Sequence, residues 1–270
     1  MKKILFTDLD GTLLNNRSQI DEKMKKALTD LINAGHFLVL SSGRPLDSIL
    51  EVKDLAGIED HNVFIISSNG SLLYNCDKKE IIHELRVTYE DVTDVWNLAK
   101  EYDIHVQTYT DNEIICAKED KEITYYRRKI HLPLILSDTP LDVLQLPPHK
   151  LLLIDIEDHE RLVATQTILE NKYSDRLQTV FSNPFYLEVF SKQSGKGNGL
   201  TFLCEYLQIP IENSFAAGDA QNDLSMLKAA GKAVVMCNGD DDMKKEADII
   251  TKTSNDEAGL ADIIYEYILQ

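Results

Sequence analysis

The sequence predicts an α/β protein whose core is a doubly wound parallel sheet, with an α+β domain inserted into that core. Near both ends of the chain, short apolar runs that end in polar turns alternate with segments of helical periodicity. The middle of the chain has a different pattern, with helices and strands in irregular order. At roughly 150 residues per domain, 270 residues are enough for two domains.

The first strand and the first helix are both clear in the sequence. The apolar run Ile4 to Phe6 predicts the strand, which a polar turn ends. Apolar residues at helical spacing then predict an amphipathic helix; they are Met24, Ala27, Leu28, Leu31 and Ile32. Ser18 and Asp21 are candidates for a capping box at its start, and Gly35 marks its end.

Two more buried strands and a hairpin follow. Phe37 to Leu40 and Val63 to Ile66 are uninterrupted apolar runs, which are typical of strands buried on both faces of a parallel sheet. The first of them completes a strand, helix, strand unit. Leu72 to Tyr74 and Ile81 to His83 are predicted to pair as a hairpin.

The periodicity changes at Leu85, where the inserted domain is predicted to begin. This domain is predicted to comprise residues 85–188, with helices over Tyr89 to Tyr102, Glu119 to Lys129 and His159 to Asn171, and strands over Ile104 to Thr110, Glu113 to Ala117, Lys150 to Ile156, Gln178 to Phe181 and Tyr186 to Phe190. The alternation then returns, with helices over Lys196 to Leu207 and Asp223 to Ala230 and strands near Phe215 and Val234. The core is therefore predicted to comprise residues 1–84 and 189–270.

The charge balance excludes some classes of partner. The chain has 28 basic and 45 acidic side chains, a net charge of −17, which repels nucleic acid and anionic membrane surfaces. We therefore expect no nucleic-acid partner and no membrane partner. A site for an anionic ligand must supply positive charge locally, from a metal ion, from lysine or arginine, or from a helix N-terminus.

The cysteines and the N-terminus indicate an intracellular protein. The four cysteines are isolated and form no CxxC pair; they are Cys76, Cys116, Cys204 and Cys237. The first apolar run is far too short for a signal peptide, and no run has the roughly 18 apolar residues of a membrane span. We expect a cytoplasmic protein with reduced thiols, and a monomer is adequate for two packed domains.

Polar residues follow three of the predicted core strands. Asp8 and Asp10 follow the first strand, Ser42 to Arg44 follow the second, and Gly218 to Asp223 follow the strand near Phe215. Because ligands bind at the carboxyl ends of the strands in open α/β sheets, we expect these residues to converge at one edge. The spacing of two between Asp8 and Asp10 puts both side chains on one face of an extended backbone.

The carboxylates at this edge predict a cation site. Asp8, Asp10, Asp219 and Asp223 offer the oxygen ligands that a hard cation prefers, and a few ligands with room for water favour Mg²⁺ over Ca²⁺. On its own the Asp-x-Asp spacing is weak evidence for a ligand site, because solvated acidic loops are common in so acidic a chain. The seven histidines have no zinc-binding spacing.

Lys196 is a candidate for binding phosphate. It lies in Ser194-Gly195-Lys196-Gly197 at the predicted start of a helix, where backbone N–H groups and an ammonium can hold an anion. An exposed lysine is the alternative. The segment is not a Walker loop, because Phe190 occupies the position of the required first glycine and no Ser or Thr follows the lysine.

Four segments together resemble the ordered motifs of the haloacid dehalogenase superfamily. They are DLDGT at Asp8 to Thr12, SGR at Ser42 to Arg44, GKG at Gly195 to Gly197 and GDAQND at Gly218 to Asp223. Within this superfamily the chain is similar to the Cof-like hydrolases, in which a large α/β cap lies between the second and third motifs. The resemblance covers the whole chain. It implies a Rossmann-like core, and a cap over residues 85–188 that selects the substrate.

The resemblance also implies how the motif residues act. Asp8 would be the nucleophile that forms an aspartyl-phosphate, and Asp10 would be the general acid for the leaving group and then the base for water. Ser42 would hydrogen-bond the transferring phosphoryl group, and Lys196 would neutralise its charge. A carboxylate that attacks a dianionic phosphate needs this positive charge.

The remaining motif residues are expected to bind the metal or the phosphate. The resemblance implies that Asp219 would bind Mg²⁺ with the Asp8 carboxylate and the Asp10 backbone carbonyl, and that Asp223 and Asn222 would support the metal or the phosphate.

Four neighbours of the motifs are candidate substrate contacts. Gly43 and Arg44 follow Ser42, and Arg44 either meets a phosphate or fixes its loop. Asn69 and Gly70 form either a simple turn or a substrate contact, because in the family the equivalent segment lies near the active site.

Three functions fit these residues. The first is an Mg²⁺-dependent phosphatase that hydrolyses small phosphomonoesters such as sugar phosphates. The second is a sugar-phosphate phosphomutase, which would need a second anion site that the sequence does not reveal. The third is a non-catalytic protein that binds phosphorylated metabolites, although such a protein has no use for a nucleophile and an acid. In each case the partner is a small phosphorylated metabolite.

Overall fold

The chain divides into two compact units, one of them discontinuous in sequence. The computed structural model describes residues 1–110, 112–128 and 130–270. The first unit comprises Met1–Glu84 and Ser194–Gln270, and the second comprises Leu85–Gln193.

The first unit contains an eight-stranded sheet. In chain order its strands are β1 (Ile4–Thr7), β2 (Phe37–Ser41), β3 (Val63–Ser67), β4 (Leu72–Asn75), β5 (Glu80–Glu84), β12 (Ser214–Gly218), β13 (Lys232–Val235) and β14 (Ile249–Ile250). The order across the sheet is β14-β13-β12-β1-β2-β3-β4-β5. The strands from β14 to β3 run parallel, and β4 and β5 form the antiparallel hairpin that the sequence predicts.

Helices cover both faces of this sheet, as the doubly wound fold requires. They are α1 (Glu22–Asn33), α2 (Leu46–Leu55), α6 (Lys196–Tyr206), α7 (Leu224–Ala229), α8 (Asp241–Lys244) and α9 (Gly259–Ile263), which a π-helical segment, Ile264–Ile268, extends. Leu5 of β1 packs in a core with α1, α2 and α9. Ile4 and Phe6 pack on the other face with α6 and α7. The predicted fold class is confirmed.

Two local details of the first unit differ from prediction. Asp21 alone caps α1, accepting a hydrogen bond of 2.8 Å from the Lys23 amide, while Ser18 has a positive φ of 57° and lies outside the cap. Helix α2 was not predicted, because its apolar periodicity is weak and only Ile49 and Lys53 in it are buried.

The second unit has a six-stranded mixed sheet. In chain order its strands are β6 (His105–Tyr109), β7 (Ile114–Cys116), β8 (Leu134–Leu136), β9 (Lys150–Ile154), β10 (Leu177–Asn183) and β11 (Tyr186–Ser191), arranged β10-β11-β9-β6-β7-β8. Its helices are α3 (Tyr89–Glu101), α4 (Lys121–Tyr126) and α5 (His159–Tyr173). Helices α3 and α5 pack on one face of the sheet, and α4 packs on the other.

The end of the second unit and the length of its helix α4 both differ from the predicted limits. The predicted boundary after residue 188 lies within β11, which pairs along its length with β9 and β10, so the second unit extends to Gln193. Helix α4 is shorter than predicted, and Lys129, its predicted end, lies outside the described residues. No helix within the described ranges is long and apolar enough to cross a membrane.

Candidate active site

Three neighbouring parallel strands bring the candidate residues to one edge of the core sheet. Strand β1 lies between β2 and β12, and its last residue, Thr7, is in register with Leu40 and Ala217. The loops after these strands therefore begin side by side. Asp8 is the first residue after β1, Ser42 is the first after β2, and Asp219 is the first after β12.

A buried lysine joins two of the loops. Lys196 is the first residue of α6 and is 1% exposed. Its Nζ donates hydrogen bonds to Asp8 Oδ1 at 2.5 Å and to Asp223 Oδ1 at 2.6 Å. An ammonium this deeply buried needs such partners, because burial of an unpaired charge costs several kcal/mol. The alternative of an exposed lysine is wrong.

The loop that carries Lys196 and the β3–β4 loop beside it each depend on a glycine. Gly195 has a φ of +126°, which side-chain-bearing residues rarely adopt. A Cβ on Gly70, which also has positive φ, would lie 2.3 Å from the carbonyl oxygen of Gly195. Gly70 therefore allows the β3–β4 loop to approach the Lys196 loop.

Asp219 is held by the loop after β1. Thr12 Oγ1 donates a hydrogen bond to Asp219 Oδ1 at 2.8 Å. Gly11 has a φ of +84°, and a Cβ there would lie 2.3 Å from Asp219 Oδ2. Any larger residue at Gly11 would displace this carboxylate.

Asp223 organises the turn after β12. Its Oδ2 accepts hydrogen bonds from the backbone amides of Asp219 at 3.0 Å and Ala220 at 3.3 Å, and its Oδ1 meets Lys196. A Cβ on Gly218 would lie 2.5 Å from the Asp223 side chain, so the close approach depends on glycine. Asn222 lies half-buried in the same turn.

The electrostatics of the cluster follow from burial and from like charges. Burial raises the pKa of Asp8 well above its usual value; Lys196 opposes this rise, and Asp223, Asp219 and Asp10 add to it. Burial and then Asp223 raise the pKa of Asp219 to about 7. Burial alone would lower the pKa of Lys196, but Asp223 and Asp8 together raise it above its usual value.

This cluster fits a divalent cation. Within the described ranges, carboxylate oxygens of Asp8, Asp219 and Asp223 all lie within 4.8 Å of one another. Three carboxylates share a single ammonium, and burial together with the repulsion between these carboxylates raises the pKa values of Asp8 and Asp219. Closely grouped carboxylate oxygens suit a hard cation such as Mg²⁺.

The loop after β2 is tied to the loop after β3. The Ser42 amide donates to the Ile66 carbonyl at 2.8 Å, and the Asn69 amide donates to the Ser42 carbonyl at 3.1 Å. Ser42 and Asn69 are buried, Gly43 is half-buried, and Asn69 has a positive φ of 54°. Asn69 therefore has at least a structural role, in fixing the backbone at Ser42.

Asp10 points to Arg44 rather than into the carboxylate cluster. Arg44 Nε donates to Asp10 Oδ2 at 2.9 Å, and Arg44 Nη2 donates to Asp10 Oδ1 at 2.6 Å. Sequence reasoning missed this pair, and it gave no role to Thr12. For both, the available signal was their position in the loops that follow the adjacent parallel strands β1 and β2.

Comparisons with known proteins identify the family of the chain. A family model described as haloacid dehalogenase-like hydrolase matches residues 5–264. The chain is 28% identical over 269 residues to the 5-amino-6-(5-phospho-D-ribitylamino)uracil phosphatase of Bacillus subtilis, a match that covers 99% of this chain and 96% of that protein. It is 27% identical over 290 residues to another Bacillus subtilis phosphatase, with coverage of 96% and 97%.

A solved structure is similar over the same length. The crystal structure of a haloacid dehalogenase-like hydrolase from Bacteroides thetaiotaomicron superposes with a TM-score of 0.87 at 30% identity, covering 98% of this chain and 99% of that one. The family match includes the carboxylate cluster, Lys196 and the inserted second unit. The chain therefore belongs to the haloacid dehalogenase-like hydrolases.

Proposed function

We propose that the protein is an Mg²⁺-dependent phosphatase that hydrolyses small phosphomonoesters through an aspartyl-phosphate on Asp8. The observation that carries the proposal is the buried Lys196, whose ammonium lies between Asp8 and Asp223. It supplies local positive charge in a protein of net charge −17. Phosphoryl transfer depends mostly on positioning and on charge stabilisation, and this cluster offers both.

The relatives support the reaction and suggest the class of substrate. Two Bacillus subtilis relatives are named as phosphatases, and the name of one specifies a phosphorylated ribityl compound. We therefore propose sugar phosphates or related phosphorylated metabolites as substrates. Residues 85–193 would act as the cap that selects among them.

In the first half of the reaction, a carboxylate oxygen of Asp8 would attack the phosphorus atom. The bond between phosphorus and the ester oxygen would break, and Asp10 would donate a proton to the departing oxygen. Lys196 would neutralise the negative charge on the phosphoryl oxygens, and Ser42 would donate a hydrogen bond to one of them. The products of this step are an alcohol and the aspartyl-phosphate.

In the second half, water would attack the phosphorus atom of the aspartyl-phosphate. Asp10, now ionised, would accept the proton of this water, and the bond to the Asp8 oxygen would break. Inorganic phosphate would leave, and Asp8 and Asp10 would return to their starting states. Gly43, Arg44, Asn69, Gly70 and Asn222 are proposed to line the substrate site around these groups.

Asp8, Asp219 and Asp223 would hold Mg²⁺, with the backbone carbonyl of Asp10 as a further ligand. Bound Mg²⁺ offsets the repulsion between the Asp8 carboxylate and the anionic phosphate. Thr12 and Gly11 keep the Asp219 carboxylate in place for this purpose.

Phosphate release from a panel of phosphomonoesters tests the proposed function. We expect release in the presence of Mg²⁺, loss of release in EDTA, and recovery when Mg²⁺ is added back, because the metal offsets the buried negative charge. The panel should contain sugar phosphates, polyol phosphates, nucleotides and 4-nitrophenyl phosphate. Equal release in EDTA would contradict the proposed metal dependence, and absence of release from every ester would contradict the phosphatase.

Thermal unfolding of Asp219→Asn tests the proposed metal site without an activity assay. The wild-type melting temperature should rise on addition of Mg²⁺, because a ligand that binds only the folded state stabilises it. The variant keeps an oxygen for Thr12 but loses a charged ligand, so its Mg²⁺-induced shift should be lost. In EDTA the variant should melt at least about 2 °C above the wild type, since it has less buried like charge.

The pH dependence of this shift has a defined sign. The folded-state pKa of Asp219, about 7, lies above the unfolded value, so protons compete with the metal below pH 7. The Mg²⁺-induced shift of the wild type should be larger at pH 8 than at pH 6. If Mg²⁺ raised the melting temperature of Asp219→Asn as much as that of the wild type, Asp219 would be ruled out as a ligand.

A further inference from the structure

The Arg44–Asp10 ion pair has the geometry of an orienting contact. Two nitrogens of the Arg44 guanidinium, Nε and Nη2, each donate a hydrogen bond to a different oxygen of the Asp10 carboxylate. Such a bidentate contact fixes the plane and the direction of the carboxylate as well as its position. Arginine makes this contact with an ionised carboxylate, and lysine cannot reproduce its planar geometry.

The backbone of Arg44 is fixed from three sides. Its amide donates to Ser42 Oγ at 3.2 Å, and its carbonyl accepts hydrogen bonds from Ser67 Oγ at 3.0 Å and from the Ser68 amide at 3.1 Å. Pro45 follows and is the N-cap residue of α2. Arg44 thus projects from an anchored backbone, and Asp10 is the more exposed partner.

The Arg44–Asp10 ion pair contributes too little to the stability of the fold to explain its presence. The side chain of Asp10 is 52% exposed, against 16% for Arg44. An ion pair with one partner so exposed contributes at most about 1 kcal/mol to folding. Without Arg44, however, the Asp10 side chain would sample several rotamers in solvent, because no other side-chain hydrogen bond to a described residue would offset the entropy of fixing it.

We propose that Arg44 is a positioning residue, which holds the ionised Asp10 carboxylate in the orientation that accepts a proton from the hydrolytic water. This inference rests on the proposed function, in which Asp10 is ionised after it has protonated the leaving group. The water attacks the phosphorus atom, its proton moves to Asp10, and the bond between phosphorus and the Asp8 oxygen breaks. Arg44 therefore acts through Asp10, in the second half of the reaction.

The proposal is tested by the pre-steady-state kinetics of 4-nitrophenyl phosphate with Mg²⁺. Its leaving group needs little protonation, so the first half of the reaction proceeds without help from Asp10. Release of 4-nitrophenol in the first turnover reports formation of the aspartyl-phosphate, and the steady-state rate reports its hydrolysis. The readout is the ratio of the first-turnover rate to the steady-state rate.

In Arg44→Lys this ratio should rise about tenfold or more, the effect expected when a charged hydrogen bond is lost. The first-turnover rate should stay close to that of the wild type, and a burst of 4-nitrophenol should approach one per enzyme molecule. Asp10→Asn should show the same signature more strongly. Arg17→Lys is the matched control, because it makes the same change at the exposed Arg17 of the same unit and should leave the ratio unchanged.

The other outcomes separate the inference from the function on which it rests. If Arg44→Lys raises only KM, Arg44 acts solely as a substrate contact and the inference is overturned. If both rates fall together, Arg44 is a structural residue and the inference is again overturned. Arg44→Gln, which keeps a planar amide donor, serves as the second variant if Arg44→Lys folds poorly. A wild type without 4-nitrophenol release, or an unaffected Asp10→Asn, would overturn the proposed function as well.

Discussion

Asp8→Asn should lower kcat at least about 10³-fold with every phosphomonoester that the wild type hydrolyses. An amide is a poor nucleophile, and it leaves no oxygen anion to form the acyl phosphate. Because the loss arises in the bond-forming step, KM should change far less than kcat. Phosphate release measured at saturating substrate and Mg²⁺ gives this result directly.

The variant should remain folded. Burial raises the pKa of Asp8, so the folded state gains little from ionisation of this carboxyl, and Lys196 keeps Asp223 as a partner at 2.6 Å. The far-ultraviolet circular dichroism and the melting temperature should therefore stay near those of the wild type. Asp77→Asn makes the same change at an exposed position in the β4–β5 turn and should keep full activity. A folded Asp8→Asn variant with normal turnover would exclude Asp8 as the nucleophile.

The sequence predicted the core strands because burial on both faces leaves an unmistakable pattern. Strands β1, β2 and β3 are buried at every residue, and each is an apolar run that stops at a polar turn. The convergence of Asp8 and Asp219 followed from the topology alone, since β1 and β12 are parallel neighbours. Helix α2 lacked such a signal, because only two of its residues are buried.

Contacts between side chains of different loops could not be predicted in the same way. Lys196 and Asp8 are 188 residues apart in the sequence, so no local pattern could predict that the Lys196 ammonium lies between Asp8 and Asp223. The bidentate contact between Arg44 and Asp10 depends on rotamers that no periodicity encodes. Gly11 and Gly70 appeared in the sequence as turn residues, and only the structure gives the close approaches that exclude a Cβ there.

Lys196→Met should lower both the stability and the activity of the protein. Lys196 is fully buried, and its partners Asp8 and Asp223 are buried carboxylates. Removal of one partner of a buried ion pair costs about 3–5 kcal/mol in the free energy of unfolding, because the remaining charges lose their compensation. Turnover should fall about 10²–10³-fold, the usual effect of losing one group that stabilises a developing charge. Urea unfolding in EDTA, together with phosphate release in Mg²⁺, measures the two effects separately.

The pH dependence and a double variant identify the cause of the instability. Without the ammonium, the folded variant retains protons on its buried carboxyls above the pH at which the unfolded chain releases them. Because the folded state then binds more protons, the free energy of unfolding falls as the pH rises, and the deficit relative to the wild type should be larger at pH 8 than at pH 5.5. Lys196→Met combined with Asp223→Asn should recover much of the stability, since an amide can accept the Asp219 N–H without a buried charge. Activity should stay lost in the double variant, because Lys196 is still absent beside Asp8. A Lys196→Met variant as stable as the wild type at pH 8 in EDTA would show that the three carboxylates do not need this cation in the folded state.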